Sequence, residues 1–291
     1  MNTERIWSAK LQPIRSCLTR FIDHIDRSDP HSDSSCVFTG LTDLDYYMSP
    51  MRPGEICIIA ARPSIGKTAL TENIIEHAAI EEKIPVIYSP DYSMNGQKVM
   101  SRLVSSLGRI DYYKLRTGRL GDDDRPRMIS AVSILSEADI SVLESATLEE
   151  LLLTIEQEGK RETPLLLAID DIDKLCDNNF KTLEIFLSHV KESISNKNVL
   201  VVLTVTLDRI VESRDNKRPK ISDLRSSSSI DKYADRIIFI YRDDVYHEDS
   251  TDKGLAEILI DKDPVNHGGT VKVGFLGKYL RFEDFPLEQR A

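Results

Sequence analysis

Apolar side chains recur along residues 6–25 at Leu11, Ile14, Leu18, Phe21 and Ile25. This 3-4-3-4 spacing puts one apolar stripe on a helix. Pro13 stands near the helix start or kinks it. The run RSDPHSDSS (27–35) is polar and turn-rich, and reads as a linker. The striped helix can fold back on its own domain or dock on a neighbouring subunit.

After the linker, short apolar runs alternate with helical periods. EICIIAA (55–61) reads as a buried strand, followed by a helix from Lys67 to about Glu82. PVIYS (85–89) is a second strand, and residues 95–107 a second helix. Helical stretches near 122–136 and 147–159 flank a short strand at 140–144. LLLAID (165–170) and VLVVLT (199–204) are strands around a helix at 180–195. RIIFIY (236–241), LAEILI (255–260) and TVKVGF (270–275) close the pattern. Strands alternating with helices predict an α/β fold with right-handed crossovers and a mostly parallel sheet flanked by helices. The last strands lack long helices between them, which predicts an antiparallel edge.

Composition narrows the possibilities. A chain of 291 residues, 41% hydrophobic and 30% charged, can build one large core with a small extension. Its net charge of −10 excludes a uniformly basic nucleic-acid coat, while a local basic lining remains compatible. Cys17, Cys36, Cys57 and Cys176 form no CxxC pair and read as reduced thiols. No apolar signal core opens the chain, and no run approaches the ~20 apolar residues of a membrane span. The expected location is the cytoplasm.

The chemistry concentrates in ARPSIGKT (61–68), between a predicted strand and a predicted helix. A tight loop running into a helix N-terminus presents amides to an anion. The amides of Ser64, Ile65 and Gly66 are expected to face phosphate oxygens. Lys67 would reach the β- and γ-phosphates, and the Thr68 hydroxyl would ligate Mg²⁺. The usual phosphate-loop pattern opens on Gly; here Ala61 stands in that place. Asp170 ends an apolar strand, where a carboxylate can hold the Mg²⁺ hydration shell. The bland alternatives are a chance GKT at a strand–helix turn and a solvated Asp at a strand end.

With these residues in place, residues 38–285 resemble the RecA-like C-terminal motor domain of DnaB-type replicative helicases. TGLTDLD (39–45), PGE (53–55) and AARPSIGKTA (60–69) look like that family's entry to the nucleotide site. LRTGRL (115–120), KRPKISDLR (217–225), ADRIIFIYRDD (234–244) and DKGLAEI (252–258) look like its later landmarks, in order. The resemblance implies a RecA-like P-loop NTPase core, ATP and Mg²⁺ as ligands, and a homo-oligomeric, hexameric ring. It implies ATP between subunits, single-stranded DNA through the centre, and a role in DNA replication. The helix at 6–25 is placed like the family's linker helix, which docks on the adjacent subunit. The division expected is residues 1–37 as helix and linker, and residues 38–291 as the ATP-binding domain. The first 37 residues leave no room for the family's separate collar domain, which engages primase.

Residue by residue, Lys67 and Thr68 match the family's phosphate-loop pair, and Asp170 its magnesium-side acid. Arg102 matches an Arg lying over the bound base, and Arg225 closes the SDLR motif. Other positions depart. Asp91, in Ser89-Pro90-Asp91-Tyr92, stands where the family has its water-activating Glu. Thr206 stands where it has a polar Gln. Lys262-Asp263-Pro264 replaces a Lys-Gln-Arg finger hairpin, so Lys262 remains and the Arg is gone. The loop DDIDKLCDNNFK (170–181) is acidic where the family's is basic.

These departures bear on hydrolysis. A carboxylate displaced by on the order of 1 Å costs roughly 100-fold, and a lost arginine finger about 10³ to 10⁵. Asp171, beside Asp170, is an alternative water-activating acid. Lys262 or Arg242 is an alternative finger, Lys262 acting from a neighbouring subunit. The one clear basic stretch, Arg214, Lys217, Arg218 and Lys220, can track DNA phosphates or form a solvated loop. Tyr112 and Tyr113 can stack a base or pack half-buried. The leading expectation is a ring-forming ATPase on single-stranded DNA with weakened hydrolysis. The alternative is a degenerate ATP-gated paralogue that regulates or loads another replication protein. A RecA-type ATPase or kinase acting on protein is a third reading that no residue favours.

Overall fold

The protein is described here by a computed structural model, which covers residues 35–224, 227–266 and 268–285, together with Ile14. The helix expected over 6–25 lies outside the described residues, except that Ile14 is helical and exposed.

A short helix α1 (Thr42–Tyr47) leads to β1 (Ile56–Ala61), which the loop at 62–66 joins to α2 (Lys67–Ile80). Then follow β2 (Val86–Ser89), α3 (Gly96–Gly108), α4 (Tyr112–Thr117), α5 (Asp124–Glu137) and β3 (Ile140–Val142). Next come α6 (Leu148–Glu158), β4 (Leu165–Ile169), α7 (Ile172–Leu175), α8 (Phe180–Ile194) and β5 (Val199–Thr206). The chain closes with α9 (Ser227–Tyr233), β6 (Arg236–Tyr241), β7 (Leu255–Lys262), β8 (Gly269–Leu276) and β9 (Arg281–Asp284).

All nine strands lie in one sheet, in the order β3-β2-β4-β5-β1-β6-β7-β8-β9. The first six in that order pair parallel, and β6 to β9 pair antiparallel. The strands β1, β4 and the first five residues of β5 read as unbroken apolar runs because both faces are covered. In β1, Cys57, Ile59 and Ala61 join the core layer under α2, α3 and α5, while Ile56, Ile58 and Ala60 join the layer under α6 and α8. Such a sheet carries its ligand sites at the carboxyl ends of the parallel strands. The loops after β1, β2, β4 and β5 meet there.

The antiparallel extension closes back on the first helix of the core. In β9, Phe282 N donates to Asn73 Oδ1 at 2.9 Å, and Arg281 pairs with Glu76 at 2.7 Å. Thus α2 is enclosed on several sides, with Glu72, Asn73 and Glu76 all buried. At the opposite end of the sheet, Arg236 is buried among Glu55, Asp263 and the carbonyls of Ser49 and Pro50.

Candidate nucleotide site

The loop leaving β1 is shaped by its backbone. Ser64 has φ 64 and Gly66 φ 133, both in the left-handed region. At Gly66 a Cβ would lie 2.7 Å from Phe282 Cζ, so glycine is required both by conformation and by space. Ile65 departs from expectation: its N–H turns to Arg62 O at 3.4 Å, and its side chain anchors the loop in the core. The first N–H groups of α2 have no carbonyl behind them in the helix, and together with the helix dipole they favour an anion.

Lys67 opens α2, with Nζ 3.3 Å from Ala61 O. Burial lowers its pKa, against the charges of Asp171 and Asp170. Thr68 Oγ1 donates to Asp170 Oδ2 at 2.7 Å. Thr204 Oγ1 donates to Asp170 Oδ1 at 2.7 Å and accepts from Asp171 N at 2.7 Å. Asp170 is buried, and that burial raises its pKa against the bonds from Thr204 and Thr68 and the charge of Lys67.

A cleft of about 360 Å³ opens over these residues. Pro63, Ser64, Lys67 and Thr68 form one wall; Asp91, Arg102, Asp170, Asp171, Lys174 and Thr206 form the rest with their neighbours. Among the described residues no group of three or more His, Cys, Asp or Glu forms a metal cage. This donor set fits Mg²⁺, which is held by one or two side-chain oxygens plus phosphates and water. Thr68 and Asp170 are the side chains that would supply those oxygens.

The candidate water-activating acids stand together. Asp91, after β2, accepts from Lys174 through Oδ2 and from Ser93 N at 2.7 Å through Oδ1. Burial raises the Asp91 pKa, but the hydrogen bonds from Lys174 and Ser93 outweigh it and leave the carboxyl below its usual value. Asp171 Oδ2 pairs with the same Lys174 at 2.8 Å, and its Oδ1 lies 3.4 Å from Thr206 Oγ1. Arg102 Nε donates to both carboxylate oxygens of Glu72 at 2.6 and 2.9 Å. Burial pushes the Glu72 carboxyl up to about 7 although Arg102 opposes it.

Other expected residues lie elsewhere. Lys262 pairs in register with Ile237, at the end of the sheet opposite the phosphate loop, and donates to Asp231 O and Ala234 O at 2.6 Å. Arg242 lies over the Phe275 ring at 4.3 Å and pairs with Asp244. Arg225 lies outside the described residues. In the basic stretch, Arg214 pairs with Asp223, and Arg218 forks onto both oxygens of Glu257 at 2.6 Å. Half of that stretch is therefore neutralised within the fold. Tyr112 is half-buried near Arg102 and Arg116, and Tyr113 is exposed.

Sequence reasoning missed Lys174, Glu72 and Thr204. Thr204 and Thr206 were traceable as same-face polar residues ending an apolar strand. Lys174 carried a weaker signal, as a cation within an acidic run. A single Glu in a helix gave none.

Comparison with known proteins bears on the family of the chain. The family described as DnaB-like helicase C terminal domain matches residues 36–284. The replicative DNA helicase DnaB of Buchnera aphidicola (subsp. Baizongia pistaciae) is 36% identical over 267 residues, covering 88% of this chain and 57% of that protein. The Haemophilus influenzae DnaB is 35% identical over 281 residues, covering 92% and 59% respectively. The chain thus spans just under three fifths of these relatives. The solved ATPase domain of G40P superposes with a TM-score of 0.83 at 25% identity, covering 95% of this chain and all of that one. A DnaB-like replicative helicase studied with primase gives 0.81 at 25% identity, covering 95% of this chain and 68% of that one. The chain belongs to the DnaB-like helicase C-terminal domain family.

Proposed function

We propose that this chain is an ATP-driven, ring-forming motor domain that acts on single-stranded DNA in replication, with slow hydrolysis. The observation that carries the reading is the bond between Thr68 and Asp170 beside Lys67, at the floor of a cleft of nucleotide-tail size. Lys67 and the amides at the start of α2 would hold the β- and γ-phosphates. Thr68 and Asp170 would hold Mg²⁺, which neutralises charge on the terminal phosphates when bound. Arg102, oriented by Glu72, would lie over the base. Asp91 or Asp171 would orient the attacking water, and Lys262 would reach a neighbouring copy's nucleotide.

Slow turnover follows from the reach of the acid: Asp91 is one methylene shorter than the glutamate the family places there, and a carboxylate displaced by on the order of 1 Å costs roughly 100-fold. In this structure Lys174 and Ser93 hold Asp91, and Lys174 and Thr206 approach Asp171. The finger hairpin retains Lys262, a point charge without the bidentate fork of Arg. The domain division proposed is residues 1–37 as helix and linker, which can fold back on its own domain or dock on a neighbouring subunit, and residues 38–291 as the ATP-binding domain.

An ATPase titration with and without single-stranded DNA tests this, run alongside Asp91→Asn and Asp171→Asn. We expect slow, weakly stimulated turnover, lost in one of the two variants, which then names the base. Fast and strongly stimulated turnover would overturn the slow-motor reading. A second reading, an ATP-gated regulator or loader of another replication protein, is favoured by the neutralised pairs at Arg214 and Arg218. Nucleotide binding without any turnover in the same assay would select it.

A further inference from the structure

Lys174 touches both candidate water-activating acids. It stands on α7, just beyond Asp170, and its Nζ pairs with Asp171 at 2.8 Å and with Asp91. Those two carboxylates come from different loops, after β4 and after β2. The side chain is 53% exposed, lines the cleft that holds Lys67 and Thr68, and so faces the space a phosphate tail would fill.

Charge explains why a cation is needed there. Asp91, Asp170 and Asp171 all face the cleft. A Mg²⁺ held at Asp170 offsets one of these carboxylates. Asp91 and Asp171 would otherwise present two negative charges to a polyanion, which is strongly unfavourable in a partly dry cleft. Lys174 offsets one of those two charges.

An ammonium on a four-carbon stem is a movable point charge with three donors. Asp91 also accepts from Ser93 N, so it keeps one strong partner if the ammonium turns away. A terminal phosphate offers three oxygens to compete for the ammonium within the same cleft.

We propose that Lys174 is a phosphate-directed cation supplied from within the chain, which rests on Asp91 and Asp171 and turns to the terminal phosphate of a nucleoside triphosphate, so that it discriminates tri- from diphosphate. This rests on the nucleotide reading above and adds to it a residue that sets ligand specificity. It also gives the site a cation of its own where the finger hairpin has lost its Arg.

The test is an equilibrium titration of the full chain with Mg²⁺ and either a non-hydrolysable ATP analogue or ADP. Lys174→Met should weaken the triphosphate analogue about tenfold, the scale of one charge-assisted hydrogen bond, and move ADP by less than about twofold. Lys174→Arg should keep most of the preference for triphosphate. An equal loss for both ligands would make Lys174 a structural clasp between the two loops, and no loss for either would make it a surface cation; both overturn the proposal. Retained ADP binding reports that the variant is folded. Wild-type chain that binds neither ligand would bring down the nucleotide reading itself.

Discussion

Thr68 and Asp170 are separated by 102 residues of chain, yet Thr68 Oγ1 donates to Asp170 Oδ2 at 2.7 Å. The bond joins the first turn of α2 to the tip of β4, across β5, and Thr204 of that intervening strand completes the set. A hydrogen bond to a charged group is worth about 1.5–3 kcal/mol, so its loss should be measurable. Thr68→Ala is expected to weaken the Mg²⁺-dependent part of ATP affinity by about 10- to 100-fold, and Thr68→Ser to retain it. Calorimetric titrations with Mg²⁺ and with EDTA check this; equal affinity for Thr68→Ala in both buffers as for wild type would remove the metal role.

Gly66 and Phe282 couple the phosphate loop to the last strand. Gly66→Ala places a Cβ 2.7 Å from Phe282 Cζ at a φ of 133, so about 1–3 kcal/mol of stability should be lost. Part of the penalty is steric, and Phe282→Ala should relieve it in the double variant. Urea denaturation of the four proteins measures that coupling. Simple additivity would show that the close approach is not what costs stability.

Burial holds the Glu72 carboxyl at about 7, above the 4.5 of an unperturbed glutamate. A raised folded pKa means that the folded chain binds the proton more tightly. The contribution is fully present below about 4.5 and is lost as pH rises through about 7. Glu72→Gln, which keeps the protonated shape, should therefore gain melting temperature relative to wild type between pH 5 and pH 8. A pH-independent difference would contradict the assignment.

Asp263 sits where the resemblance expected a polar residue of the finger hairpin, and here it binds buried Arg236 and the amides of Val265 and Asn266. Removing one partner of a buried ion pair costs about 3–5 kcal/mol. Asp263→Ala should fall toward the low end, because Glu55 still holds Arg236 at 2.9 Å. Chemical denaturation gives the figure, and a loss of under about 0.5 kcal/mol, the range of an ordinary surface change, would contradict it.

Much of this architecture was legible in the sequence because it follows from burial. Strands covered on both faces are apolar over most of their length, so β1, β4 and β5 announced themselves. The antiparallel edge was legible from the missing crossover helices. β9 was not, since four residues with one buried side chain carry no period. The loop at 62–66 and Asp170 could be singled out because strand, loop and helix chemistry occur together. The basic stretch at 214–220 illustrates the limit. Its charges were visible, but Asp223 and Glu257, which neutralise two of them, are brought there only by the fold. The pairing of Asp91, Asp171 and Lys174 is likewise a product of strand order.

The most direct measurement is the affinity of the chain for Mg·ATP, compared with Lys67→Ala by equilibrium titration, with thermal melts confirming that both are folded. The account predicts measurable binding by the wild type and a loss of at least about tenfold in the variant, the scale of one charge-assisted contact. Unchanged affinity in Lys67→Ala, or no binding by the wild type, would contradict it.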